Sequence, residues 1–448
     1  MNKKLEGCLD QKKVENILKD YHSNPVNKVV RHSLSRTTFN DAMFNSESLK
    51  DIDPTFSIDI ETMKVTNQRS SGRCWIFAGC NVLRELVGKK LNIKFFELSE
   101  NYISLYDKIE KSNFALESII RIIDRDSYDR VFQFILRSPV NDGGQWDMFV
   151  NLVKKYGLMP KSAFPETFQS NNTAQSSFLV NQAIRNFAYE ARKLFIAGKK
   201  EEIRPLKEKV MEKIYHLFLN AFGVPPKEFD FEYVDENNEY KVDKSLNPHS
   251  FFEKYVGIEL LEEYQSITNA PTIDKPMMRN FTIDFLGNVV EGKNINHLNL
   301  SMERMKELII AQLKEGLPVW FGADVSFYRD RSAFAWDDNA FDYEASTGFN
   351  AEFDKGAMLD FRASAMNHAM VITGVNLVDG KPAKWKIENS WGEDVGKKGY
   401  FVMSSSFFNK FVYQAVILKR FLSKEELEAT KADPIVLPPW DPMGTLAD

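Results

Sequence analysis

Gln68-Arg69-Ser70-Ser71-Gly72-Arg73-Cys74-Trp75-Ile76-Phe77-Ala78 passes from a polar, glycine-containing approach straight into an apolar run. Ile76, Phe77, Ala78, Val82, Leu83 and Leu86 recur at near-helical spacing, which predicts a buried helix opening at Cys74 and ending by Gly88. A thiol at a helix N-terminus faces unpaired backbone N–H groups and the positive end of the helix dipole, a setting that favours the thiolate, above all beside an imidazolium. The chain supplies a candidate imidazole in Asn367-His368-Ala369-Met370 and a candidate orienting amide in Glu388-Asn389-Ser390-Trp391-Gly392. Cys74, His368 and Asn389 thus read as nucleophile, base and orienter.

The bulk composition narrows the alternatives. A chain of 448 residues, 43% hydrophobic and 13% aromatic, can bury a large core divided among two or more subdomains. A formal charge of −5 gives no basic field for a polyanion, so composition does not support nucleic acid as a partner. Met1 to Val30 carries Lys, Glu and Asp throughout without the apolar core of a signal peptide, and no stretch approaches membrane-spanning length. The three cysteines, Cys8, Cys74 and Cys80, are too sparse for a disulfide framework and suit a reducing compartment. The six histidines lack zinc-site spacing. These features read as a soluble cytoplasmic protein without membrane partner, metal or organic cofactor.

Along the chain the front is helical and the back is strand-rich. Ser99 is a candidate N-cap, Asn141-Asp142-Gly143-Gly144 a turn, and Met148, Phe149, Leu152 and Val153 one face of a helix stopping at Gly157. Two further apolar faces, Ala183 to Phe195 and Ile203 to Leu217, flank Gly198-Lys199-Lys200 as a helical hairpin, and a polar stretch follows from Pro225 to Pro276. A helix over Ser301 to Glu315, closed by Gly316, leads into a strand-like Val319 to Val325. From Met370 onward short β runs follow: Met370 to Thr373, Lys384 to Ile387, Tyr400 to Met403 and Val412 to Leu418. The acid-rich segment Trp336 to Asp360 reads as a solvated loop or as an electrostatic element near the site. Asp433 to Asp448 is too proline-rich for a helix or central strand and reads as an extended arm, free or docked.

These residues resemble the papain-like cysteine peptidases, and more closely the bleomycin hydrolase and aminopeptidase C branch. Gln68, five intervening residues, Cys74-Trp75 and then Phe77 match the pattern around the nucleophile. Asn367-His368-Ala369, Asn389-Ser390-Trp391-Gly392 and the tail Trp440-Asp441-Pro442-Met443-Gly444 complete it in the family's chain order. The resemblance implies an α+β fold, with a helical subdomain and an antiparallel sheet or barrel subdomain, a large helical insertion and a C-terminal arm. It divides the chain into an N-terminal extension (1–60), a helical subdomain (61–172), a helical insertion serving oligomerisation (173–279), a β-rich subdomain (280–432) and an arm entering the cleft (433–448). Cys74 and His368 lie 294 positions apart. The short secreted enzymes place the two about 130–150 apart, so roughly 150 residues are inserted.

By the same resemblance Cys74 attacks the scissile carbonyl, His368 protonates the leaving amine, Asn389 holds the ring, and Gln68 donates to the oxyanion beside the Cys74 N–H. Trp391 shields the histidine–asparagine contact, and Gly143 and Gly144 line the substrate cleft. The terminal carboxylate, of Ala447 or Asp448, meets the free amino group of the substrate. Implied with these roles are a homohexamer and peptide substrates with a free N-terminus. An endopeptidase on the same scaffold and a nucleic-acid-binding or scaffold protein are the competing readings. The tail argues against the first, and the intact Cys, His, Asn and Gln set with an acidic net charge against the second.

Overall fold

The structure is a computed structural model and describes residues 7, 9–50, 52–326, 328–330, 334–349 and 353–447. Among them, a twelve-stranded, mainly antiparallel sheet is packed against a helical body. In the centre of the sheet run Tyr264–Thr268, Val412–Leu418, Val319–Ala323, His368–Val378, Lys381–Glu388 and Tyr400–Ser404, in that spatial order and each antiparallel to the next. Ile58–Asp59 adds a short branch on His368–Val378. No helix among the described residues is long and apolar enough to cross a membrane.

The central strands are buried on both faces, which explains why they read as continuous apolar runs rather than as alternating ones. Trp320, Ala369 and Val371 face the helical core with Trp75, Ile76, Leu83, Trp146 and Phe149. Their neighbours Phe321, Met370 and Ile372 face a second core with Leu308, Trp385, Phe401 and Phe408. Because side chains alternate across a strand, a slip of one residue would exchange the two cores, so the register is strongly specified.

The helix opened by Cys74 runs to Leu91, past the Gly88 that the sequence suggested as its end. A Cβ on Gly88 would sit 2.0 Å from the Met63 methyl, so this glycine serves close packing. The end is set instead by Asn92, in the left-handed region at φ 53°, whose N–H returns to the Gly88 carbonyl. Other expected elements lie close to their sequence positions: Trp146–Tyr156 stops at Gly157 (φ 75°), and Ser301 caps Met302–Lys314. The hairpin is Ala174–Ile196 and Ile203–Phe222, with Gly198 at φ 77°. The polar stretch from Pro225 holds more order than its composition suggests. It contains a β-hairpin, Phe229–Val234 with Tyr240–Leu246, and the fully buried strand Tyr264–Thr268 of the main sheet. The sheet therefore begins before residue 280. In the acid-rich segment, Asp342 and Asp354 cap short helices and Asp338 pairs with Lys410 at 2.7 Å, while Glu352 lies outside the described residues.

His297, wholly buried on a short strand, binds Ser266 Oγ through Nδ1 at 2.8 Å. Ser266 Oγ also accepts from Gln414 Nε2 at 2.8 Å, which ties the histidine to the strand Val412–Leu418. Burial pushes the pKa of this histidine down to about 3. A folded value below the unfolded one near 6.5 means stability that is complete above pH 6.5 and is lost as the pH falls toward 3, on the order of several kcal/mol. The thermal midpoint of the parent protein should therefore fall more steeply between pH 6.5 and 4 than that of His297→Gln. Parallel curves would show that the histidine does not govern acid lability.

Candidate active site

Cys74 is the first residue of its helix and is 4% exposed. Its sulfur accepts a hydrogen bond from the Ala369 N–H at 3.4 Å, so the residue after His368 touches the nucleophile candidate directly. The His368 ring bonds through Nε2 to Asn389 Oδ1 at 2.9 Å, and Asn389 Oδ1 also accepts from the Ser390 N–H at 2.8 Å. Trp391 stacks on the imidazole with centroids 5.0 Å apart and planes 25° from parallel. Cys74, His368 and Asn389 are thus gathered where the helix N-terminus crosses the starting end of one strand, His368–Val378, and the finishing end of its neighbour, Lys381–Glu388.

Gln68 is buried in the same place, held at both ends. Its backbone N–H reaches the Ser390 carbonyl at 2.9 Å, and its Oε1 accepts from Ser390 Oγ at 2.7 Å. Its Nε2 donates to the Ser71 carbonyl at 2.7 Å, and because an amide nitrogen carries two hydrogens, one remains. Sequence reasoning singled out Gln68 but not Ser390. The serine stood inside the quoted Asn-Ser-Trp-Gly stretch, but its partner is 322 positions away.

The electrostatics correct one expectation. Burial pushes the Cys74 thiol up to about 11, and the N–H groups of Ala369, Trp75 and Cys74 itself do not offset it. The helix end alone therefore does not make a thiolate here, because the sulfur is dry as well as dipole-facing. A thiolate at this position requires a neighbouring positive charge to offset the burial.

The turn Asn141 to Gly144 is clamped from beneath by two buried lysines of the helix Glu100–Arg121. Lys108 binds Asp142 and the Asn141 carbonyl, and Lys111 binds the Gly143 carbonyl and, at 2.9 Å, Asp107. Asp142 also accepts from the Gly72 N–H at 2.8 Å and from Thr173, while its carbonyl takes the Trp75 indole N–H at 2.7 Å. Burial works against the Asp142 carboxylate, but Lys108 and these donors hold it well below the usual range. Gly144 must lack a side chain, since a Cβ would lie 2.5 Å from the Trp75 ring. Arg73 completes the surround with a two-pronged pair to Glu166 at 3.0 and 3.2 Å. None of these clamps left a local sequence signal beyond the turn itself.

The arm is docked. Ile435–Leu437 runs parallel to Asn280–Ile283, the Arg130 guanidinium lies 3.7 Å from the Trp440 ring centroid, and Asp441 pairs with buried Lys275 at 2.9 Å. Beyond it a 3₁₀ turn, Pro442–Ala447, brings the chain onto the turn at Gly144. The Gly144 N–H donates to the Leu446 carbonyl at 3.1 Å, Gln145 Nε2 to the Met443 carbonyl at 3.3 Å, and Thr445 Oγ1 to the Met366 carbonyl at 2.7 Å. Met443 and Leu446 are buried. Asp448 and Cys8 lie outside the described residues.

Residues 8–444 match the Peptidase C1-like family. The chain is 44% identical to Aminopeptidase C of Lactobacillus delbrueckii subsp. lactis, over 97% of each chain. It is 42% identical to Aminopeptidase C of Listeria monocytogenes, over 99% of this chain and 100% of that one. The crystal structure of PepW from Lactobacillus rhamnosis HN001 superposes with a TM-score of 0.95 at 42% identity, covering 98% of this chain and 99% of the other.

Proposed function

Since this chain belongs to the Peptidase C1-like family and is a cysteine aminopeptidase, we propose that Cys74, His368, Asn389 and Gln68 carry its chemistry and that the arm restricts it to the N-terminal residue of a peptide. The observation that carries the reading is the Ala369 N–H on the Cys74 sulfur with Asn389 on the imidazole of the adjacent residue, two hydrogen bonds that gather three candidate residues at one place.

Cys74 transfers its proton to His368, attacks the carbonyl of the N-terminal residue, and His368 returns a proton to the leaving amine. Asn389 fixes the ring so that its other nitrogen is presented to the sulfur, and Trp391 covers one face of it. The developing oxyanion receives the free Gln68 N–H and the Cys74 backbone N–H, and the loss of one such donor typically costs about 10²–10³ in turnover. Water then releases the acyl group. Gly143 and Gly144 form the backbone edge along which the arm runs, and a terminal carboxylate, of Ala447 or Asp448, pairs with the free ammonium of the substrate.

The enzyme has broad side-chain tolerance, acts in the cytoplasm, and extends to the amide bonds of bleomycin-like molecules. Two cysteines free and buried suit that compartment, and cell fractionation checks it. The chain works as a homohexamer. In support, the N-terminal helices Gln11–Ser23 and Pro25–Leu34 bury no residue yet carry exposed Val14, Ile17, Leu18, Val26 and Val29, while Phe178, Leu179, Tyr189 and Ile196 are exposed on the hairpin. Two apolar faces on one chain suit a ring of copies.

Cys74→Ala should abolish turnover of aminoacyl-naphthylamides and of a bleomycin carboxamide while the protein stays folded, and retained turnover would remove the thiol from the mechanism. Deleting Pro442 to Asp448 should let N-blocked peptides be cut, and continued rejection of them would end the role of the arm. Sedimentation velocity should give a six-chain particle that dissociates when residues 1–37 are removed, and a monomer in the intact protein would refute the assembly.

A further inference from the structure

Ten residues beyond the nucleophile candidate, on the far part of the same helix, Arg84 is wholly enclosed. Its Nη2 meets Glu388 Oε1 at 2.9 Å, and both side chains are only 1% exposed. Glu388 is the last residue of its strand and stands directly before Asn389. The same Nη2 donates to the Met63 carbonyl at 3.3 Å, and Arg84 Nε lies 3.5 Å from Glu85 Oε1. The second Glu388 oxygen accepts from Thr62 Oγ1 at 2.7 Å, and that hydroxyl also lies 2.7 Å from Tyr400 OH. The pair therefore joins the nucleophile helix, the segment Thr62–Met63 and two strands of the sheet.

Stability alone does not account for such a pair. Two charges taken out of water lose several kcal/mol of hydration each, and well-packed apolar residues in their place are often equally stable or more so. Arg84 is also imperfectly satisfied, with Nε and Nη1 lacking a hydrogen-bond partner. What an ion pair offers that apolar packing does not is a fixed distance and direction between two bodies. One of the bodies here is a helix, rigid over the ~15 Å from Arg84 to Cys74 at about 1.5 Å per residue. The other is the strand end whose next side chain holds the imidazole at 2.9 Å.

We propose that Arg84 and Glu388 are positioning residues, whose ion pair sets the helix bearing Cys74 against the strand end bearing Asn389 and thereby fixes the approach of His368 to the sulfur. The proposal rests on the assignment of Cys74, His368 and Asn389 made above. Neither residue touches substrate, and both act through geometry. A misplacement of about 1 Å between reacting groups is enough to cost roughly 10²-fold in rate.

The test compares Arg84→Met, Glu388→Gln and the double variant Arg84→Met/Glu388→Met with the parent, reading kcat and KM on an aminoacyl-naphthylamide, the thermal midpoint, and the pH profile of Cys74 alkylation by iodoacetamide. In each folded single variant kcat should fall about 10- to 10²-fold with KM little changed, and the alkylation profile should move to higher pH as the thiolate–imidazolium pair weakens. The double variant, with no orphaned charge, should recover the thermal midpoint but keep the low kcat and the displaced profile. Parent-like kcat and profile in any folded variant, or recovery of both in the double variant, would overturn the proposal. Should Arg84→Met not fold, Glu388→Gln and the double variant decide. Peptide mapping of the alkylated residue separates failures, because a parent enzyme labelled at Cys80 rather than Cys74 would refute the nucleophile assignment itself.

Discussion

A single contact, the Ala369 N–H on the Cys74 sulfur at 3.4 Å, marks where the helical and strand-rich parts of this molecule join. It places the start of a helix against the start of a strand 295 positions later in the chain, and the proposed site is arranged around that crossing. The contact is weak in itself, since a sulfur acceptor forms a poor hydrogen bond. What holds it is the seam around it: Trp75 lies under Gly144, its carbonyl takes the Trp320 indole at 3.2 Å, and its own indole binds the Asp142 carbonyl.

The seam is unusually rich in buried charge. Arg73 with Glu166, Lys108 with Asp142, Lys111 with Asp107 and Arg84 with Glu388 all lie on or beside the nucleophile helix, each with at least one partner nearly inaccessible to water. Such pairs contribute little net stability after desolvation, and their value lies in orientation. Apolar surfaces tolerate sliding, whereas a two-pronged arginine does not. A site that must hold a sulfur, an imidazole and an amide in line gains from the second kind of contact.

The same dryness has a consequence for the thiol. Burial pushes Cys74 up to about 11, opposing the helix dipole. Burial thus favours the neutral thiol, and under the proposed mechanism the His368 orientation, and hence Asn389, is decisive. The docked arm belongs to the same logic. Leu446 and Met443 are buried while the Leu446 carbonyl occupies the Gly144 N–H, so the turn beside Trp75 is covered by the chain itself.

Much of this was legible in the residues. The apolar period after Cys74 identified a buried helix, Ser99 marked a real cap, the helix expected over Ser301 to Glu315 is Met302–Lys314, and Val412 to Leu418 is the strand its composition suggested. Those are local signals, carried by side-chain period and capping chemistry within a few residues. Gly88 misled because a glycine required by packing looks the same in sequence as one that ends a helix. The strand Tyr264–Thr268 was hidden because its burial depends on the neighbour Val412–Leu418 far along the chain. Ser390 on Gln68, Asp142 on Gly72, Lys111 on Gly143, Arg84 on Glu388 and the docking of the arm were decided only by tertiary structure. Each is a pairing between distant residues, and hydrogen bonds and ion pairs depend on distance in space, which residue order does not encode.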